Sequence, residues 1–199
     1  MFLASGAVPG WAQPGKHAYH DAKALDAGKA LRTVERPEIP DVRLKNQNGE
    51  IVRFHTDLVK GRVVAINTIF TTCTTICPIM GVHYAKLQKE EEIRARLGRE
   101  LVLISISVDP VTDTAERLKL WSAKLGAQPG WTLLTGEKQD VVQLLKALDV
   151  FTPDKESHSP VMLIGRDTER EWMRLDGLAP VSELANQIGA FLAGATGEP

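Results

Sequence analysis

Cysteine is the scarcest informative residue of this chain. It holds two, too few for the disulfide lattice of a small secreted fold or for a four-thiolate zinc or iron–sulfur site. No disulfide scaffold is needed either: a chain of 199 residues buries about 70% of its unfolded surface on folding. Charge of one sign is also missing. Lys and Arg number 24 against 25 Asp and Glu, a net charge of -1, so there is no positive field to displace counterions from nucleic acid or to hold an anionic bilayer. No apolar run approaches the roughly 18 residues of a membrane span. The longest, around Val63 to Ile69 and Leu101 to Ile106, have strand length. With 43% hydrophobic and 25% charged residues, the composition is that of a globular protein rather than a disordered or low-complexity one.

The opening, Met1 to Gln13, is small, apolar and uncharged, like the last part of a secretory signal, with Gly10 and Ala12 suited to the positions before a cleavage site. It lacks a basic start, and a loose terminus is the alternative. Export is the expectation, with any membrane tether supplied by a segment upstream. Pro14 to Arg36 is polar and Ala-rich without a period and reads as an arm. The expected division is therefore an arm over residues 1–36, a folded domain over 37–194 and a tail over 195–199.

Within the domain the pattern is legible. Val42 and Leu44, the turn-forming run Asn46 to Gly49, then Ile51, Val52 and Phe54 predict a hairpin. Arg62 to Phe70 and Leu101 to Val108 are β-branched runs without alternation, as expected of strands buried on both faces. Between them one helix is expected from about Pro78 to Leu97, closing at Gly98, with Cys77 at or beside its cap. A helix over Thr112 to Leu125, a short strand at Trp131 to Leu134 and a helix over Glu137 to Leu148 follow. Strands at Pro160 to Ile164 and Glu171 to Leu175 form a second hairpin, and Val181 to Leu192 carries an amphipathic stripe. Alternating βα units with a late hairpin predict an α/β fold whose central mixed sheet is flanked by helices.

Cys73 and Cys77 fall between a buried strand and a helix start, where ligands gather and the helix dipole favours a thiolate. Such a pair can cycle between dithiol and disulfide; a structural disulfide or two inert buried thiols is the alternative reading. Two thiolates suit Cu(I) better than zinc if an imidazole joins them. Of the five histidines, His17 and His20 lie in the arm, His55 at a strand end and His83 on a helix. His158 lies in a polar loop before a strand, at the edge of the sheet where the cysteines emerge. Asp109 also sits at that edge, fit either to orient His158 or merely to shape the turn before Pro110. Asp113 reads as a helix cap. Met80 and Met162 read as core.

The succession TTCTTICP, long helix, ISISVDPVTDT, LLTG and SHSPVMLIG resembles the Sco (SenC) family of thioredoxin-like copper proteins over about Pro37 to Phe191. That resemblance implies a thioredoxin-like fold and copper held by Cys73, Cys77 and His158, with the two cysteines also serving in redox exchange. It implies a role in assembling the copper centre of cytochrome c oxidase, as metallochaperone or thiol reductase. The partner would be the copper-bearing oxidase subunit or another copper or thiol protein, met in the periplasm or another extracytoplasmic space. A metal-independent thiol–disulfide reductase or thiol peroxidase is the rival. One departure stands out: Pro160, two residues past His158, occupies the place of the thioredoxin cis-proline. If cis, it would shape a groove for a substrate cysteine.

Overall fold

The computed structural model describes residues 31–168 and 171–194. In chain order its strands are β1 (Leu31–Glu35), β2 (Arg43–Asn46), β3 (Ile51–Arg53), β4 (Val63–Ile69), β5 (Leu101–Ser107), β6 (Trp131–Thr135), β7 (Val161–Arg166) and β8 (Glu171–Asp176). The helices are α1 (Ile76–Leu87), α2 (Glu91–Arg96), α3 (Ala115–Lys124), α4 (Lys138–Ala147) and α5 (Val181–Leu192).

Residues that read as two-sided strands become the middle of the sheet. Every position of β4 and β5 is buried, and the two pair in parallel from Val63 opposite Leu101 to Ile69 opposite Ser107. The strands run β1-β8-β7-β4-β5-β6-β2-β3, with β4, β5 and β6 parallel and the remaining pairs antiparallel. Alternation divides the core into two layers. Val63, Ala65 and Ile69 face the layer with Cys77, Tyr84 and Leu87 of α1, Leu118 of α3 and Ile188 of α5. Val64 and Ile66 face Val141, Leu144 and Leu145 of α4. This is the thioredoxin-like α/β arrangement, with the expected hairpin, β2 and β3, joined to it through β6.

Four expectations are corrected. The arm contributes β1, which pairs with β8 from Leu31 opposite Leu175 to Glu35 opposite Glu171. An open sheet edge offers unpaired backbone groups to any neighbouring segment, and this demand leaves no side-chain period to read. The single long helix is two. After Leu87 the buried Gln88 side chain turns away to donate to the Gly126 carbonyl at 2.8 Å and accept from the Gln128 amide at 2.9 Å. Glu91 and Glu92 then start α2, where acids suit a helix N-terminus. The chain does turn at Gly98, with φ at 78°. Asp113 is not the cap of α3; the Thr114 hydroxyl accepts from the Arg117 amide instead.

The Ser159–Pro160 peptide is trans, as are all others among the described residues, so no cis-proline groove is formed. Instead the Val161 amide bonds the Ser159 carbonyl at 2.8 Å, a tight turn that the fixed φ of Pro160 suits. Met80 and Met162 are fully buried, as core residues are. The apolar opening, His17, His20 and residues 195–199 lie outside the described residues. No helix among the described residues is long and apolar enough to cross a membrane.

Candidate metal and thiol site

Topology brings the candidate residues together. Strand β4 delivers the chain to Phe70, whose carbonyl accepts from the Cys73 amide at 3.2 Å to close a turn. Strand β7 runs antiparallel to β4, with Met162 opposite Asn67, so the segment entering β7 lies beside the segment leaving β4. His158 therefore arrives at the cysteines from 81 positions away. The Cys77 Sγ lies 3.4 Å from the His158 Nε2.

Cys77 is the second residue of α1 and Pro78 the third, so Cys77 lies inside the helix rather than at its cap, which is Thr75. Amides of the first turn have no partner within the helix, which makes a proline harmless there and leaves the Cys77 N–H free for another acceptor. That acceptor is the Cys73 sulfur. The Thr75 hydroxyl does not cap the helix either and lies 3.6 Å from the Cys73 Sγ.

These contacts set the two thiols apart. Burial alone would raise the Cys73 thiol, but hydrogen bonds from the Cys77 amide and from Thr75 outweigh it and bring Cys73 below the ordinary cysteine value. Burial pushes Cys77 up to about 12, with the Cys73 sulfur and the Asp113 charge adding to it. Cys77 is fully enclosed, whereas Cys73 keeps 9% of its surface exposed. The site thus holds one thiol that ionises more readily than an ordinary cysteine and one that keeps its proton. Both cysteines are free thiols.

His158 is 4% exposed, and burial lowers its basicity against the opposing pull of the Lys155 carbonyl and Glu156. The ring is therefore neutral near pH 7. Its Nδ1 lies 2.7 Å from the Lys155 carbonyl, an acceptor only, so Nδ1 carries the hydrogen and Nε2 presents a lone pair to Cys77. The Phe70 ring packs against the imidazole in a T-shaped pair, 5.3 Å between centroids.

Asp113, fully buried, holds the cysteine loop from below. Its carboxylate accepts from the Thr71 amide at 3.1 Å, the Thr71 hydroxyl at 2.5 Å and the Ser107 hydroxyl at 2.7 Å. Asp109 touches neither His158 nor a thiol. It pairs with the Lys155 ammonium at 2.7 Å. Sequence reading overlooked Lys155 and Phe70 altogether, since neither residue type advertises a role at its position. His55 and His83 are engaged elsewhere, with Asp167 at 2.9 Å and the Gly177 carbonyl at 3.0 Å.

One ionisable thiol, one retained thiol and one neutral imidazole make a soft donor set of the kind that suits a low-coordinate d¹⁰ ion. Among the described residues no group of three or more His, Cys, Asp and Glu is drawn close enough to hold a metal without rearrangement. The Cys77 sulfur and the His158 imidazole are already in contact, and the Cys73 sulfur lies beside the Thr75 hydroxyl.

A sequence model of the SCO1/SenC family matches residues 34–193. A SCO1 protein homolog of Bacillus subtilis (strain 168) is 31% identical over 141 residues, 68% of this chain and 69% of its own. A Stutzerimonas stutzeri protein whose name ascribes copper binding to it is 32% identical over 171 residues, 79% of this chain and 81% of its own. Among solved structures, BsSco shares 25% identity with a TM-score of 0.62, covering 79% of this chain and 96% of that one. It is described as a Sco-family cytochrome c oxidase assembly protein with a disulfide switch.

Proposed function

The chain belongs to the SCO1/SenC family, and we propose that it carries Cu(I) on Cys73, Cys77 and His158 and exchanges that ion, or electrons through the same thiols, with a protein partner. The observation that carries this reading is the imidazole lone pair aimed at the Cys77 sulfur, with the tautomer fixed by the Lys155 carbonyl. Copper binding by name in the Stutzerimonas relative supports the choice of ion. The donor types support it too, because two sulfurs and one imidazole satisfy Cu(I), whereas structural zinc takes four ligands.

Loading requires both thiols as thiolates. Cys73, lowered by its hydrogen bonds, ionises before Cys77. Cys77 gives up its proton as copper displaces it, so uptake releases protons and strengthens as pH rises. In the redox role, the Cys73 thiolate attacks a partner disulfide, forming a mixed disulfide and releasing one partner thiolate. Cys77 then attacks the Cys73 sulfur, passing its proton to His158 Nε2. The second partner thiolate leaves, and the Cys73–Cys77 disulfide closes. The partner is oxidised by none of this; it gains the two electrons that the cysteines lose.

The partner we assign is the copper-bearing subunit of cytochrome c oxidase, reached outside the cytoplasm; the assembly role described for BsSco supports it. The test is an anaerobic Cu(I) titration of the reduced protein against a competing chelator, run on the parent and on Cys73→Ser, Cys77→Ser and His158→Ala. One tight equivalent that each substitution weakens supports the site. Affinity unchanged by His158→Ala rejects the three-donor site, and no copper uptake by the parent leaves the metal-free thiol reductase.

A further inference from the structure

Lys155 reaches His158 in three ways. Its carbonyl accepts the imidazole Nδ1 hydrogen at 2.7 Å. Its ammonium pairs with the Asp109 Oδ2 at 2.7 Å, across from the loop that follows β5. The same ammonium lies 5.2 Å from the centroid of the Phe70 ring, and that ring packs against the imidazole. Lys155 thus opens a three-residue turn, Lys155–Ser157, whose last neighbour is His158, and its side chain crosses to the opposite loop.

We propose that Lys155 is the positioning residue of His158: anchored by Asp109 and seated on Phe70, it holds the His158 loop against the sheet so that Nε2 meets the cysteine pair. This rests on the copper-site reading above and specifies how its third ligand is presented. The turn's other bonds are short-range, among them the Asp154 side chain accepting from the Glu156 amide at 3.1 Å and from the Ser157 hydroxyl at 2.9 Å. Neither of these ties the loop to the rest of the molecule. Apart from the His158 ring itself, which meets Cys77 and Phe70, the Lys155 ammonium is the contact that does. Metal-ligating histidines depend on the group bonded to their other nitrogen, and here that group is a backbone carbonyl whose place is set by its own side chain. The role of Asp109 follows: it acts on the histidine through Lys155, not by touching the ring.

The test uses the full chain with Lys155→Met, Lys155→Arg, Asp109→Asn and the Lys155→Met, Asp109→Asn double variant. Lys155→Met should weaken Cu(I) by about tenfold, at the lower end of what disturbing a ligating histidine's support costs. Lys155→Arg, which keeps both the charge and the ring contact, should recover most of that loss. The double variant should be no weaker than Lys155→Met alone, because Asp109 works through the lysine. A readout without metal accompanies these. Amide hydrogen exchange over residues 155–158 should speed up in Lys155→Met while protection of β4 and β5 stays as in the parent, separating a local clasp from general destabilisation. Unchanged copper affinity and unchanged loop exchange in Lys155→Met would overturn the proposal, as would additive losses in the double variant. Failure of the copper reading shows differently, as a His158→Ala variant that binds Cu(I) like the parent.

Discussion

Alkylation of the reduced, metal-free protein discriminates between its two thiols. At pH 7 a group that titrates at about 12, as Cys77 does, is ionised in only ~1 part in 10⁵. A thiol at the ordinary 9.0 is ionised in ~1 part in 10², and Cys73 lies below that value. Cys73 therefore leads in thiolate by at least ~10³. The more basic thiolate is the better nucleophile, which returns about 20-fold to Cys77 over that gap. What remains is a floor of roughly 50-fold in favour of Cys73, before the complete burial of Cys77 adds to it. Brief iodoacetamide exposure under anaerobic conditions, followed by peptide mass spectrometry, should find the label on Cys73 alone. Raising the pH past 10 should bring Cys77 into reaction. Equal labelling at pH 7, or Cys77 labelled first, would refute the asymmetry and with it the order of attack.

Other outcomes follow from single contacts. Asp113→Ala strands the Thr71 amide and hydroxyl and the Ser107 hydroxyl in the interior, and urea unfolding should register a loss of about 3 kcal/mol. Gly165→Ala drives a Cβ into the buried Trp172 indole, and overpacking there should cost about 3 kcal/mol in the same assay; a neutral result would mean that Trp172 shifts freely. Asp41, bonded by the Thr56 hydroxyl and amide and by Arg53, has its carboxyl lowered to about 2. A depressed folded-state value stabilises above the unfolded value, so the parent should exceed Asp41→Asn in stability at pH 5 and lose that margin as pH falls from about 4 toward 2. A margin independent of pH would place the effect elsewhere.

Much of the fold was legible because burial on both faces writes itself into Val63 to Ile69 and Leu101 to Ser107 as apolar-rich runs with small polar residues only, and the α5 stripe repeats at helical spacing. The hairpin β2–β3 announced itself through Asn46, whose side chain accepts from the amides of Asn48 and Glu50. What escaped was tertiary in origin. Strand β1 exists because β8 offers an open edge, and the break after Leu87 exists because Gln88 finds partners in a distant loop. At the site, residue type pointed to Cys73, Cys77 and His158. Asp113 was misread because an aspartate before a helix is usually a cap, and only the fold reveals that Thr71 and Ser107 surround it. Lys155 had no mark at all, since a lysine in a polar loop is the commonest of surface residues.

The central claim concerns three donors on one ion, and X-ray absorption at the copper edge of the Cu(I)-loaded protein reads it without reference to any partner. The account predicts a three-coordinate first shell of two sulfurs and one nitrogen, with the imidazole scattering lost in His158→Ala. A shell of sulfur alone in the parent, or a spectrum that His158→Ala leaves unaltered, would contradict it.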